Sequence, residues 1–156
     1  MGISSLFTPY FESAQKVAML VKKVLPNCIV VMGGHHPTVM PDRVMECSFV
    51  DFVIRGEGEV SMPLLVNALK NGEKIKRLES IPGICFKKDN PLFVNDNLKE
   101  KNLLQSSKKL INKDNIIFEP IWIEDIDSIP SPDFSFAHNN FYKRNKMGTI
   151  SIVTSR

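Results

Sequence analysis

Cys28-Ile29-Val30-Val31-Met32 is an unbroken apolar run, β-branched at its centre and closed by Gly33-Gly34. A strand with one wet face alternates apolar and polar side chains. A run that does not alternate suits a strand covered on both faces, as in a parallel sheet flanked by helices. The neighbouring segments agree. Residues 2–5 are a very short β-type run. Thr8-Pro9 then opens a helix, with Thr8 as N-cap and Pro9 preset for the first turn. Phe11, Ala14, Val17, Ala18, Val21, Val24 and Leu25 recur at helical spacing, with Lys16, Lys22 and Lys23 off the stripe, until Pro26-Asn27 stops it. A short helix is expected over 41–47. Asp51-Phe52-Val53-Ile54 is a second short apolar run, ended by Arg55-Gly56, and from Glu57 another helix begins. Glu57 and Glu59 sit at its positive end, Pro63 falls in its first turns, Met62, Leu65, Val66 and Leu69 form its stripe, and Asn71-Gly72 caps it. Strand and helix alternating in this way predict βαβ units, and hence an α/β fold with an open parallel sheet.

Beyond Gly72 the order weakens. Residues 81–88 and 92–94, separated by Asp89-Asn90-Pro91, read as a β-hairpin. Residues 96–115 are a polar connection, 116–126 are apolar but broken by Pro120, Pro130-Ser131-Pro132 is an extended linker, and a new strand starts over 147–154. The expected division is a partial α/β domain over 1–80, hairpin and connection over 81–115, and a linker with the first strand of a further domain over 116–156. Three parallel strands are few for such a sheet, and the last strand has nothing after it to cover it. The chain therefore reads as a segment of a longer protein. An exposed edge of the shortened sheet would allow a homodimer.

Charge falls in blocks: net −1 over residues 1–69, +6 over 70–113, −6 over 114–133 and +4 over 134–156. Such blocks mark separate surfaces. The total of +3 is too small to argue for nucleic acid or an anionic membrane. Only Phe86 and Phe93 interleave with the basic block, which reads as a solvated face. No apolar run approaches the roughly 20 residues of a membrane span, and the first five residues lack the basic start and apolar stretch expected of a signal peptide. Cys28, Cys47 and Cys85 are odd in number and lack a C-x-x-C pair. That excludes a disulfide scaffold or zinc finger and suits a cytoplasmic setting.

In an open α/β sheet, ligands bind beyond the carboxyl ends of the strands. Here those ends are Ser4-Ser5-Leu6-Phe7-Thr8, Gly33-Gly34-His35-His36-Pro37-Thr38 and Arg55-Gly56-Glu57-Gly58-Glu59. Glycines let a ligand approach the backbone, and hydroxyls and imidazoles offer donors and acceptors without bulk. The candidate binding set is Ser4, Ser5, Leu6, Thr8, Gly33, Gly34, His35, His36, Thr38, Gly56, Glu57 and Gly58, with no catalytic or metal-ligating residue. The bland alternative is that the glycines merely make turns. Adjacent His35 and His36 point apart on any regular element and do not chelate one ion. Gly56-Glu57-Gly58-Glu59-Val60-Ser61 is a degraded G-x-G-x-x-G turn whose glutamates would repel a pyrophosphate, so a dinucleotide is a minor alternative.

Ser4-x-Leu6, followed after 26 residues by Gly33-Gly34, resembles the second and third elements of the cobalamin-binding motif. Those segments, Pro41, the run from Asp51 to Glu59, Ile81-Pro82-Gly83-Ile84, Ile126-Asp127-Ser128-Ile129-Pro130-Ser131-Pro132-Asp133 and Thr154-Ser155-Arg156 together resemble the N-terminal domain of cobalamin-dependent radical SAM enzymes. Methylases and the anaerobic magnesium-protoporphyrin monomethyl ester cyclase belong to that group. The resemblance implies a Rossmann-like, flavodoxin-like domain in which the serine and the glycine pair receive the nucleotide tail of cobalamin. It implies a [4Fe–4S] cluster and S-adenosylmethionine in the full-length protein, for methyl transfer or an oxidative cyclisation. The family's Asp-x-His-x-x-Gly loop would precede Met1 and its cluster cysteines would follow Arg156, so this piece is expected to bind the corrinoid without catalysing. A non-enzymatic α/β interaction module and a nucleotide-binding domain are the alternatives.

Overall fold

A computed structural model describes residues 1–72, 78–90, 109–111, 115–130, 143–144 and 147–148. Six strands, β1 (Gly2–Ser4), β2 (Val31–Gly33), β3 (Phe52–Ile54), β4 (Ile84–Lys87), β5 (Lys109–Ile111) and β6 (Asn115–Phe118), form one sheet in the order β1-β2-β3-β4-β6-β5. The first three are parallel, pairing Ser4 with Gly33 and Met32 with Val53. From β3 onward the pairing turns antiparallel, Val53 opposite Cys85 and Cys85 opposite Ile117.

Side chains alternate strictly across this sheet, as the two-residue period of a strand requires. Val31, Phe52, Ile54, Ile84, Phe86, Ile116 and Phe118 enter one core with Leu65 and Ala68 of α4 (Gly58–Lys70). Met32, Val53, Cys85 and Ile117 enter the other, with Phe11, Ala14 and Ala18 of α1 (Phe11–Val24) and Val44 and Met45 of α3 (Pro41–Met45). Both faces of the sheet are therefore covered, the condition that the unalternating runs predict.

Several expectations need correction. Residues 84–87 do not stand apart as half of a hairpin, because β4 extends the main sheet beside β3; its expected partner at 92–94 lies outside the described residues. Residues 115–118, read as connection and linker, are strand β6, whose Ile116 and Phe118 fill one core while Ile117 fills the other. The compact units are Met1–Glu124 and Asp125–Arg156, so the boundaries expected at 80 and 115 fall inside the first. In the second unit, β7 (Lys143–Arg144) pairs with β8 (Met147–Gly148), and the rest of the strand expected over 147–154 lies outside the described residues. The helical stripes are wider than the buried faces: Val17, Val24 and Leu25 of the first and Val66 of the second are exposed. Among the described residues no helix is long and apolar enough to cross a membrane.

Candidate site at the carboxyl ends of the parallel strands

Thr8 does not cap the first helix. A 3-10 turn over Thr8–Tyr10 leads into α1, and the Thr8 hydroxyl lies 3.0 Å from His36 Nδ1 instead. The segment after Gly34 is not a loop but a short helix, α2 (His35–Val39). The two changes are linked. As the first residues of α2, His35 and His36 point apart, His35 into solvent and His36 into the protein at 2% exposure. There its ring lies 4.5 Å from that of Phe11.

The first two strand ends are knitted together by backbone. Ser5 N–H donates to Gly33 O at 2.8 Å, and His36 N–H donates to Ser5 O at 3.2 Å. Gly34 makes this approach possible. Its φ is +102°, and a Cβ there would stand 2.8 Å from Ser5 O and 3.0 Å from Ser4 Oγ. Among the described residues two buried polar atoms at this junction have no partner, Ser5 Oγ and His36 Nε2. Burial, with the positive charge of Arg43, lowers the His36 pKa below its ordinary value. Thr8 and the expected contact residues Ser4 and Leu6 are exposed beside it.

Thr38 serves the frame. Its hydroxyl donates to Gly34 O at 2.8 Å and accepts from Gly56 N–H at 2.9 Å, joining the second strand end to the third. Arg55 extends the tie, donating to Thr38 O and, at 3.0 Å, to Phe118 O.

The third strand end has an occupant from the chain itself. Gly56, at φ +73°, lies under Pro120, so that a Cβ would stand 2.7 Å from Pro120 Cβ. Gly83 N–H donates to Glu119 O at 2.8 Å, and Ile123 N–H donates to Glu57 Oε2 at 2.6 Å. Residues 119–123 thus form a strap over the Gly56 turn. The open glycine surface expected of Gly56, Glu57 and Gly58 is taken on the Gly56 side by Pro120, while a Cβ at Gly58 would meet nothing within 4 Å. Sequence reasoning missed this strap; its one signal was Pro120, which breaks an apolar run just where the chain leaves β6.

Among the described residues no cluster of His, Cys, Asp or Glu could hold a metal ion. Cys47 and Cys85 are buried and Cys28 is half-buried, all three as free thiols. Burial pushes the Cys85 pKa up to about 12, so that thiol stays protonated and unreactive.

The residues around Gly34 suit a ligand rich in polar groups. Segments 4–8 and 33–38 contain no acidic or permanently charged side chain, and their two orphaned polar atoms could serve amide, hydroxyl or phosphodiester groups. Cobalamin is such a molecule. Residues 1–66 match the model of the B12 binding domain. Over those 66 residues the chain is similar to a B12-binding domain. An uncharacterized methyltransferase of Pyrococcus horikoshii is 31% identical over 157 residues, covering 100% of this chain and 28% of that protein. The anaerobic magnesium-protoporphyrin IX monomethyl ester cyclase of Rubrivivax gelatinosus is 34% identical over 80 residues, 51% of this chain and 14% of the cyclase. The cobalamin-dependent radical SAM methyltransferase TokK of Streptomyces tokunonensis is 35% identical over 80 residues, 50% of this chain and 11% of TokK. The chain thus spans less than a third of the length of each of these three relatives. No solved structure matches it. The cofactor of the B12-binding domain is cobalamin, and the α/β sheet with helices on both faces is the architecture expected for it.

Proposed function

We propose that this chain is the cobalamin-binding module of a longer radical SAM enzyme that carries out methyl transfer or an oxidative cyclisation. One observation carries the reading: the junction at Gly34, where two strand ends meet without room for a Cβ and leave Ser5 Oγ and His36 Nε2 buried and unpartnered. In this reading Ser4, Ser5, Leu6 and Thr8 with Gly33, Gly34, His35 and His36 receive the corrinoid and its tail. Thr38 holds the frame, Gly56 and Glu57 act through the strap that they seat, and Gly58 leaves open space beside them. When bound, the corrinoid supplies the organometallic chemistry, and the protein supplies binding and orientation. The sequence's three cysteines lack the C-x-x-x-C-x-x-C spacing of a radical SAM cluster. Cluster and S-adenosylmethionine therefore belong, in this reading, to the rest of the longer protein, in a cytoplasmic enzyme. The edge of β1 is unpaired among the described residues, which supports self-association through that edge as a further part of the reading.

Titrating the purified chain with hydroxocobalamin and recording its visible spectrum tests the assignment. A saturable spectral shift is the expected outcome. An unchanged spectrum would overturn it, and stabilisation by NAD or FAD would then favour the nucleotide reading.

A further inference from the structure

We propose that the strap, residues 119–123, is a wall of the cofactor cleft and that Trp122 is its contact side chain, packing on the bound corrinoid. The inference rests on the cobalamin reading above but concerns residues outside the matched span of 1–66. The topology sets the strap's path. β4 runs antiparallel to β3, and β6 antiparallel to β4, so Phe118 leaves β6 at the end of the sheet where the parallel strands finish. From there the chain is held first by Gly83 N–H at Glu119 O, then lies on Gly56, then is held by Glu57 at Ile123 N–H. Those anchors stand beside β4 and then β3, so the strap advances along the rim toward β2 and β1. With neighbouring strands about 4.8 Å apart, the ends of β3 and β1 are about 10 Å apart. A corrin ring with its amide arms is wider than that, and one seated over Ser4–Gly34 reaches the strap.

The side chains between the anchors are the second observation. Ile121 is 43% exposed and Trp122 67%, although both are apolar, while their backbone is fixed on either side. Leu6 and Phe7, at the other side of the rim, are exposed to 60% and 59%. An aromatic held out on an anchored backbone has lost much of its freedom before any ligand arrives, so contact costs little further ordering. Glu57 is a positioning residue in this scheme: it holds the strap and does not touch the corrinoid.

Trp122 is the sequence's single tryptophan, which gives the test two independent readouts. Hydroxocobalamin affinity is measured from the visible spectrum for the chain, Trp122→Ala, Trp122→Phe, Glu57→Ala and the Trp122→Ala/Glu57→Ala double variant. Trp122 is exposed, so its substitution leaves the fold intact, which circular dichroism verifies. Trp122→Ala should weaken binding about tenfold and Trp122→Phe about twofold, in line with the energy of an aromatic contact. Glu57→Ala should cost about threefold, and the double variant should bind no more weakly than Trp122→Ala, because both changes remove the same contact. Without cobalamin, Glu57→Ala should lower the fluorescence anisotropy of Trp122 by releasing the strap. Equal affinities for the chain and Trp122→Ala, with the spectral shift retained, would overturn the wall and leave the cobalamin reading standing. A chain that gives no shift at all would overturn both.

Discussion

Two glycines end neighbouring parallel strands of one sheet, and what comes close to them differs. Gly34, after β2, is pressed against the Ser5 carbonyl and the Ser4 hydroxyl of the adjacent strand end. Gly56, after β3, is pressed under Pro120 from a segment more than sixty residues later. Both have positive φ, at +102° and +73°, and both precede a helix. A glycine in this conformation therefore reports that something approaches the backbone but not what approaches. At Gly34 the close packing leaves two buried polar atoms without a partner. At Gly56 the neighbouring polar groups are engaged by the chain: Gly56 N–H by Thr38, and Glu57 by Ile123 N–H.

The largest effect should follow from adding one methyl at the first of these glycines. Gly34→Ala places a Cβ 2.8 Å from a backbone oxygen, in a φ region that L residues rarely adopt. Neither the carbonyl nor the strand that carries it can swing aside. The expected cost is about 2–3 kcal/mol of stability, read as a drop in Tm of several degrees, with cobalamin binding lost. An alanine variant with unchanged Tm and affinity would break the comparison at its stronger end.

Gly56→Ala should be milder although its clash is as close, because the atom it meets is a ring carbon of Pro120 in a connecting segment and not the backbone of a neighbouring strand end. A cost of about 1–2 kcal/mol is expected, with faster amide exchange confined to 119–123 and cobalamin affinity reduced but not abolished. Equal loss of cobalamin in the two variants would show that both glycines serve the ligand directly.

The contrast also explains what was legible beforehand. The run from Cys28 to Met32 reveals a doubly covered strand because burial on both faces is a local property of composition. Ser4-x-Leu6 and Gly33-Gly34 could be placed at strand ends beforehand because each lies within a few residues of its own strand. The role of Glu57 could not be read in this way. At the start of a helix it looks like a stabiliser of the helix dipole, yet its carboxylate accepts the Ile123 N–H across 66 positions of sequence. Thr8 misleads for the same reason: its spacing to Pro9 fits an N-cap, but His36, 28 residues on, takes its hydroxyl. Strand β6 was hidden because its Ile116-Ile117-Phe118 run stops at Pro120 after too few residues to separate strand from linker.

The smallest effect distinguishes the two strand ends by pH. Burial and Arg43 hold the pKa of His36 below 6.5 in the folded chain, whereas the unfolded chain takes up that proton near 6.5. Between those values the unfolded state binds more protons. This contribution is therefore fully present above about pH 6.5 and is lost as the pH falls through the window, at no more than about 1.4 kcal/mol per pH unit. His36→Gln should flatten this part of the profile, seen as a smaller difference between urea midpoints at pH 7.5 and 5.5 than in the parent chain. The Thr8–His36 contact joins the first two strand ends, so cobalamin affinity should weaken over the same range in the parent and stay level in His36→Gln. The strap is held by contacts that His36 does not share, the Arg55 guanidinium on Phe118 O and Gly83 N–H on Glu119 O, so the anisotropy of Trp122 should not change between these pH values. If the anisotropy falls together with the affinity, the two ends of the rim are coupled through Thr38, and the separation drawn between them is wrong.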